Sequence, residues 1–356
     1  MIYAGADLHI EKSIRQNRVE LQKDGFNALN QFKDAILKDN CKEKKTVLLA
    51  GDVFNRNSVN GEALKALEGF VDTLWQNRIE TYAITGNHDG DYGPSILETQ
   101  GVESLQGRYV KIDGRIVTGL NYASRDILKA SLAKLSSCDI LVLHSPFAHL
   151  LGFEGSYQLT LDELPKNIPV TIVGDVHVKD FREYAPGCYF ISPGALHACA
   201  IDQGSIHGFF KLSIKDPINA WQFQTIPTRQ IIRFKLRKIE SIKTVKDTLD
   251  KIKKVDLKPV VELRYASTLN PQILQLEATY KDKFIFIKKP NISGKILEGR
   301  RTDLDDKSDL KKFTMLDVLS YSVDPKEDPE NFAFLEELLT TQDPEAFLQK
   351  HIDEIE

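Results

Sequence analysis

Long hydrophobic runs are missing from this sequence of 356 residues. No apolar run approaches the roughly 20 residues that a helix needs to cross a bilayer, and the chain starts in a short apolar stretch without a basic leader. We therefore expect a cytoplasmic protein that does not bind membranes.

Cysteine is also scarce. The four cysteines, Cys41, Cys138, Cys188 and Cys199, lack the Cys-x-x-Cys spacing that marks thiolate metal sites and redox motifs. A chain of this length can bury a substantial core and needs no disulfides inside a cell. We expect all four thiols to be reduced and structural, and we expect no thiolate zinc site.

Strong net charge is absent too, since 47 Lys and Arg stand against 51 Asp and Glu, a net of −4. This balance on its own argues against nucleic acid as a partner, but it hides a division along the chain. Residues 1–228 carry 23 basic and 27 acidic side chains, residues 229–301 carry 19 and 8, and residues 302–356 carry 5 and 16. Net charges of −4, +11 and −11 predict three parts with different partners.

The first part contains five short polar motifs, each directly after an apolar run with the β-branched content of a buried strand. The runs cover residues 1–6, 46–50, 81–85, 140–143 and 170–173. The motifs carry, in order, Asp7 and His9; Asp52; Asn87, His88 and Asp89; His144; Asp175 and His177. Because strand ends converge on one edge of an α/β fold, we expect these side chains to meet there.

Asp, His and Asn side chains in this set predict a pair of divalent metal ions. Two ions about 3.5–4 Å apart can activate a water and neutralise charge on a phosphate, which phosphodiester hydrolysis needs. Asp52 stands alone after its strand and is the expected bridge between the ions. Mixed imidazole, carboxylate and amide ligands suit manganese, iron or zinc better than magnesium or calcium. The sequence therefore predicts a two-metal phosphoesterase.

A single histidine after an apolar run is more often structural than metal-bound, so the prediction depends on the whole set. Four of the eight histidines fall in the motifs. The other four, His149, His197, His207 and His351, are expected in the core or at the surface, although His197 follows another strand and could line the cleft.

The order of the motifs resembles that of the calcineurin-like metallophosphoesterase superfamily, and within it the SbcD and meiotic-recombination-eleven type DNA nucleases. Further likeness lies in residues 51–54, 143–147, 159–165, 191–195 and 208–212. The likeness is close over roughly the first 225 residues and extends to the rest only in plan. It implies an α/β fold in which two β-sheets are sandwiched between helices, with a small α/β capping domain and a helical C-terminal tail.

Carried over by position, the resemblance implies a role for each motif residue. One ion would be held by Asp7, His9, Asp52 and His177, and the other by Asp52, Asn87, His144 and Asp175. His88 would orient the phosphate and protonate the leaving oxygen, because histidine exchanges protons near neutral pH. Asp89 would hold the His88 ring through a hydrogen bond.

One motif departs from the family pattern. Gly-His-x-His is usual where this chain has Asp175 in the place of the first histidine. A carboxylate makes the site harder, so we expect two manganese ions, with magnesium as the alternative.

Residues 229–301 are predicted to form the capping and DNA-binding domain after a nuclease domain at 1–228. Strands are expected at 231–236, 260–265 and 283–288, with helices at 242–253 and 271–280. Lysine and arginine side chains there would contact DNA phosphates without sequence preference. The alternative is a solvated charged face without a partner.

Residues 302–356 are predicted to be a linker followed by short amphipathic helices that start near Asp-Pro pairs. Their apolar faces either fold back on the body or dock on a partner helix. The resemblance implies docking on an SbcC-type, SMC-like ATPase, in a heterotetramer built on a nuclease homodimer.

The combined prediction is a hydrolase, a metal-dependent DNA exonuclease and endonuclease subunit of an SbcCD-like complex that processes DNA ends in repair, recombination or replication. One alternative is a stand-alone phosphoesterase acting on nucleotides or phosphoproteins, which would need neither the basic second part nor the acidic tail. The other is a scaffold that has lost the chemistry, against which the intact Asp52, Asn87, His88 and His177 argue.

Overall fold

The computed structural model describes residues 1–291 except 16–17, 57–58, 152–154, 205, 214–220 and 254. Within those residues the chain forms two six-stranded sheets, a three-stranded sheet and seven α-helices. The predicted tail at 302–356 and the end of the predicted second domain, 292–301, lie outside the described residues.

The first sheet is built around a parallel centre. From one edge to the other it consists of Trp221–Thr225 (β12), Gly208–Leu212 (β11), Ile2–Gly5 (β1), Thr46–Ala50 (β2), Glu80–Ile84 (β3) and Glu103–Ser104 (β4). Strands β1 to β4 are parallel, β11 is antiparallel to β1, and β12 is antiparallel to β11. All five side chains of β2 are buried, as expected for a parallel strand that is covered on both faces.

The second sheet repeats this plan. It consists of Val110–Ile112 (β5), Arg115–Leu120 (β6), Ile140–His144 (β7), Val170–Gly174 (β8), Cys188–Ser192 (β10) and Asp180–Ala185 (β9). Strands β6, β7, β8 and β10 are parallel, and the two edge strands are antiparallel to their neighbours.

The two sheets pack face to face with helices on their outer faces. The shared core includes Ile2, Ala4, Leu48, Ala50, Ile140, Val142, Val170 and Ile172. Helices Asp24–Lys38 (α1) and Gly61–Gln76 (α2) pack on the first sheet, and Arg125–Ala133 (α4) packs on the second. In α1 the apolar residues Ala28, Leu29, Phe32 and Ile36 share one face, which is the spacing that a half-buried helix requires. The predicted sandwich of two sheets between helices is confirmed.

Two shorter helices, Gly93–Thr99 (α3) and Ala148–Leu151 (α5), and the 3₁₀ turns Val19–Leu21, Leu161–Glu163 and Ser267–Leu269 complete the connections.

A small parallel sheet follows, of Ile231–Leu236 (β13), Val260–Ala266 (β14) and Ile285–Asn291 (β15), with helices Ser241–Lys251 (α6) and Asn270–Tyr280 (α7) between its strands. All five elements predicted from the sequence are present, and the first strand has the predicted bounds. The last strand starts two residues later than predicted, at Ile285. That this unit acts as a separate domain stays a prediction.

A buried ion pair joins this unit to the first part of the chain. Arg229 Nε lies 2.7 Å from Asp24 Oδ2, and Arg229 Nη2 lies 2.7 Å from Asp24 Oδ1. Arg233 Nη1 donates to the Asp202 carbonyl at 3.2 Å. An apolar cluster that includes Leu21, Val260 and Ile285 packs nearby. These contacts hold the small sheet against the start of α1 and the loop that contains residue 202.

Candidate metal centre

The polar residues that follow the parallel strands meet at one edge of the sandwich. Hydrogen bonds join the loops, because Asp7 N donates to Gly51 O at 3.1 Å and His9 N donates to Asp52 O at 3.0 Å. A third bond crosses between the sheets, from Asp175 N to Asp7 Oδ1 at 2.9 Å. The loops after β1, β2 and β8 therefore form one bonded unit.

Glycines in two motifs leave room for this convergence. A Cβ at Gly86 would collide with the carboxylate of Asp52, and a Cβ at Gly174 would collide with the Ala50 carbonyl and the His144 ring. The Gly residues beside Asn87 and Asp175 are thus required by close packing around the polar side chains.

The backbone is strained at five of the predicted ligand positions. Positive φ angles occur at Asp7 (49°), His9 (39°), Asp52 (52°), Asp175 (104°) and His177 (59°). In the described part of the chain, only Arg78 and Asp113 add to these among residues other than glycine. Side chains disfavour this left-handed region, and such outliers concentrate at functional sites. Their concentration here supports a functional role for the five residues.

The first set of donors consists of Asp7, His9, Asp52 and His177, whose ligating atoms lie within 4.8 Å of one another. His9 Nε2 is 2.9 Å from His177 Nε2 and 3.5 Å from Asp52 Oδ2. Two buried atoms of this set, Asp7 Oδ2 and His9 Nδ1, have no hydrogen-bond partner among the described residues. Unpaired buried polar atoms are costly, so a divalent cation fits this set.

The second set of donors surrounds His144. Its Nε2 lies 3.1 Å from Asn87 Oδ1, 3.5 Å from Asp52 Oδ1 and 3.7 Å from Asp175 Oδ1. Its Nδ1 lies 2.8 Å from the Ala50 carbonyl, which can only accept, so Nδ1 carries a proton. Asp52 contributes one oxygen to each set and has the placement that a bridging carboxylate needs.

Burial sets the charges of the first set. Burial raises the pKa of Asp7 to about 7. It lowers the pKa of His9 to about 2 and that of His177 to about 4. The buried imidazoles are therefore neutral at pH 7, which is the form that binds a metal ion.

The second set contains a buried ion pair. Burial would lower the pKa of His144, but the hydrogen bond and charge of Asp52 outweigh it and raise the pKa to about 10. Burial would raise the pKa of Asp52, and His144 instead holds it at about 2. Burial raises the pKa of Asp175. Without bound ions, the protonated His144 ring supplies the positive charge that these carboxylates require.

His88 lies beside Asp52, which both sets share, and its ring has a partner that differs from the prediction. His88 N donates to Asp52 Oδ1 at 2.9 Å, and His88 Nδ1 lies 3.0 Å from the Asn55 carbonyl. The carboxylate of Asp89 instead accepts from Phe54 N at 2.9 Å and from Gly86 N at 2.8 Å. The prediction that Asp89 bonds the His88 ring is thus wrong, because each oxygen of the Asp89 carboxylate accepts a hydrogen bond from a backbone N–H group instead. Asp89 shapes the two loops, and the Asn55 carbonyl orients His88.

Two residues of the centre escaped sequence reasoning. Gln203 Nε2 donates to His177 Nδ1 at 2.6 Å, while Gln203 Oε1 accepts from Cys199 N at 2.6 Å. The Cys199 thiol lies beside the His9 and His177 rings. Both residues lie in an irregular loop after β10, where neither periodicity nor a motif marks them. His197, in the same loop, is 1% exposed and bonded to backbone carbonyls, so it belongs to the core.

Part of the chain is similar in sequence to known proteins. Residues 2–167 match the family described as calcineurin-like phosphoesterase. A DNA double-strand break repair protein Mre11 from Nanoarchaeum equitans is 26% identical over 51% of this chain and 59% of its own length. The Mre11 protein from Sulfolobus acidocaldarius is 26% identical over 82% of this chain and 85% of its own length. The matched part is thus little more than half of the Nanoarchaeum protein.

Among solved structures, a proposed 5′-nucleotidase from Staphylococcus aureus is 15% identical, with a TM-score of 0.42 over 64% of this chain and 54% of that one.

In the described part of this chain, no helix has the length and apolar character to cross a membrane.

Proposed function

We propose that this chain, which belongs to the calcineurin-like metallophosphoesterase superfamily, is a metal-dependent DNA nuclease that acts in double-strand break repair. The observation that carries the proposal is the pair of adjoining donor sets that share Asp52. The two Mre11 relatives supply the substrate class.

In this proposal Asp7, His9, Asp52 and His177 hold one divalent ion. Asp52, Asn87, His144 and Asp175 hold the other. When bound, two such ions supply an activated water and positive charge against the phosphate oxygens. The donors are oxygen and nitrogen atoms, with an extra carboxylate at Asp175, and this set favours manganese over softer ions.

His88 is proposed as the residue that gives a proton to the leaving oxygen. A carbonyl can only accept a hydrogen bond, so the contact with Asn55 O keeps a proton on Nδ1 of His88. Nε2 is then the atom that exchanges a proton with the substrate. The backbone bond from His88 N to Asp52 fixes the ring relative to both donor sets.

DNA is proposed to lie along a basic groove next to the loop that carries Gln203. The groove has a volume of about 560 Å³ and is lined by Asp202, Arg233, Phe234, Lys235, Glu262 and Arg264. The Glu262 carboxylate is already paired with Arg264 at 3.1 Å and Lys289 at 2.7 Å. The lining residues and Lys289 together give four basic side chains against two carboxylates, so the groove has a net positive charge, and phosphate contacts of this kind bind DNA without reading its sequence.

A partner ATPase of the SbcC type, a homodimer of this chain and a cytoplasmic location also remain proposals. They rest on the Mre11 relatives and on the sequence of residues 302–356. Co-purification of the ATPase with the full chain, but not with a chain that ends at residue 305, would support the role of the tail.

The test of the main proposal is incubation of the purified full-length chain with end-labelled linear DNA, with and without Mn²⁺. Cleavage that requires the ion and is abolished by Asp52→Ala is the expected result. Hydrolysis of nucleotides or phosphopeptides, with DNA left intact, would overturn the choice of substrate while leaving the metal centre in place.

A further inference from the structure

The Cys199 thiol is placed beside the first donor set. Its Sγ and the ligating nitrogens of His9 and His177 all lie within 4.8 Å of one another, and the residue is 4% exposed. Among the described residues, no other cysteine belongs to such a group. This thiol therefore differs from Cys138 and Cys188, which are buried away from metal-binding side chains.

One side chain holds both the cysteine and a histidine of this group. Gln203 Oε1 accepts from the backbone N–H groups of Cys199, at 2.6 Å, and Ala200, at 3.2 Å. The amide nitrogen of Gln203 bonds His177 Nδ1 at 2.6 Å. The sulfur and the imidazole are thus positioned by the same clamp, so their proximity is built into the loop.

Among the residues that the structure describes, the thiol has only weak hydrogen-bond partners. The nearest are the His197 carbonyl, 3.6 Å from Sγ, and His197 Nε2, 3.9 Å away. Thiols are poor hydrogen-bond donors, and both distances are at the long end for a bond to sulfur. A metal ion that binds the sulfur would therefore break no strong hydrogen bond of the thiol.

Two imidazole nitrogens and one sulfur form a ligand set that binds zinc-class ions more tightly than manganese or magnesium. Zinc lies about 2.3 Å from sulfur and about 2.0–2.1 Å from nitrogen, so two donors on one ion are at most about 4.4 Å apart. Donors already within 4.8 Å need only a small movement to meet one ion.

We propose that Cys199 is a sulfur ligand that lets a zinc-class ion bind at His9 and His177, in competition with the ion used for catalysis. On binding, the S–H bond breaks, its proton passes to solvent and a sulfur–metal bond forms. The proton of His177 moves from Nε2 to Nδ1, where the Gln203 side chain turns its carbonyl to accept it, and the freed Nε2 binds the ion. The proposal rests on the proposed function only in that the same two histidines serve both ions. Zinc-class ions would then inhibit DNA cleavage by this chain.

The test uses Cd²⁺ as the probe and the full-length chain, stripped of metal by a chelator. A cadmium–thiolate bond gives an ultraviolet charge-transfer band that nitrogen and oxygen ligands do not give. The first equivalent of Cd²⁺ should produce this band in the unmodified chain and in Cys138→Ser, but not in Cys199→Ser. Competition with a chelating dye should show a Cd²⁺ affinity more than about 10-fold lower in Cys199→Ser, since even outer partners of metal ligands contribute about 10–100-fold.

A second variant tests the histidine side of the site. His177→Ala should also lower the Cd²⁺ affinity, because the sulfur alone does not make the site. Unchanged affinity in this variant would mean that Cys199 binds the ion elsewhere, and would overturn the proposal.

The unmodified chain gives a test that needs no variant to fold. The ¹¹³Cd NMR shift distinguishes an ion with one sulfur ligand from an ion with nitrogen and oxygen ligands only. A shift typical of nitrogen and oxygen ligands, or no binding at all, would overturn the proposal. Neither readout involves DNA, so failure of the nuclease proposal would be seen separately in the cleavage assay.

Discussion

The two donor sets hold their histidines in opposite ways. His144 donates from Nδ1 to the Ala50 carbonyl, so its Nε2 points into a set of oxygen donors. His177 receives the amide N–H of Gln203 at Nδ1, so its own proton stays on Nε2, 2.9 Å from His9 Nε2. In the second set, an ion has to displace only the proton on His144 Nε2. In the first set, an ion has to separate two hydrogen-bonded rings, so for Mn²⁺, which gains little from the Cys199 sulfur, the second set should fill at lower concentration.

The largest expected effect comes from removing the residue that both sets share. Asp52→Ala should reduce DNA cleavage by more than about 10³-fold, because loss of one transition-state contact alone costs about 10²–10³-fold and here both ions lose a ligand. Elemental analysis should show loss of most bound metal. Asp113→Ala is the matched control, since Asp113 also has a positive φ but lies outside both sets. Near-normal metal content and cleavage in Asp52→Ala would refute the bridging assignment.

A variant of His88 tests whether catalysis can be lost while both donor sets still bind metal. His88→Asn should lower turnover by about 10²–10⁴-fold, the usual contribution of a general acid, while both ions remain bound. Single-turnover kinetics and metal analysis of the same sample measure the two quantities. If metal is lost as well, His88 is a ligand and the proton must come from elsewhere.

Gln203 tests the first position alone. Gln203→Glu keeps an acceptor for the Cys199 and Ala200 N–H groups and gives His177 Nδ1 a carboxylate to donate to, which frees Nε2 for an ion. Affinity for Mn²⁺ at the first position should rise about 10-fold or more, since carboxylate partners of ligating histidines have effects of about 10–100-fold. Calorimetric titration of this variant beside Gln203→Ala measures the change. Equal affinities for the Glu variant and the unmodified chain would show that the tautomer of His177 does not limit binding.

Asp175 tests the second position alone. Asp175→Ala should weaken one ion and leave the other, while Asp175→His should keep two ions and shift preference towards zinc. Binding isotherms for Mn²⁺ and Zn²⁺ on the two variants supply the comparison. The assignment of Asp175 as a ligand fails if neither isotherm changes.

The smallest effect is on the stability of the metal-free chain. Asp7 and Asp89, with pKa values raised by burial to about 7, and His144, raised to about 10 by Asp52, hold protons more tightly when folded. Each contributes stability at low pH that is lost as the pH rises through its folded pKa. The lowered pKa values of His9 and His177 act in the opposite sense below about 6.5, their unfolded value.

The melting temperature of the metal-free chain should therefore fall between about pH 6.5 and pH 9, by about 2–4 °C for each kcal/mol lost. Saturating Mn²⁺ should remove this fall, because ions replace protons at the same groups. Melting curves across this pH range, with and without Mn²⁺, make the measurement. Equal slopes would mean that ions and protons do not compete there.

The convergence of the motif residues could be predicted from sequence because it follows from topology. Asp7, Asp52 and Asn87 each follow a strand of the same parallel sheet, so one can predict that they lie close together without knowing how the side chains pack. The small parallel sheet was equally accessible, because its apolar strands alternate with helical periodicity.

Contacts between loops could not be predicted in this way. Gln203 meets His177 across 26 residues that include β9 and β10, and Asp89 meets Phe54 across 35 residues that include α2 and β3. These contacts depend on the path of each loop rather than on strand order. The same limit explains why Cys199 was expected to be merely structural.

The left-handed backbone at Asp7, His9, Asp52, Asp175 and His177 has a consequence for how this chain can change over generations. Glycine at any of these positions would relieve the strain. Substitution by glycine there would therefore trade a donor side chain for a more relaxed backbone. This chain carries Asp or His at all five positions instead, so its donor atoms stand where the backbone disfavours a side chain.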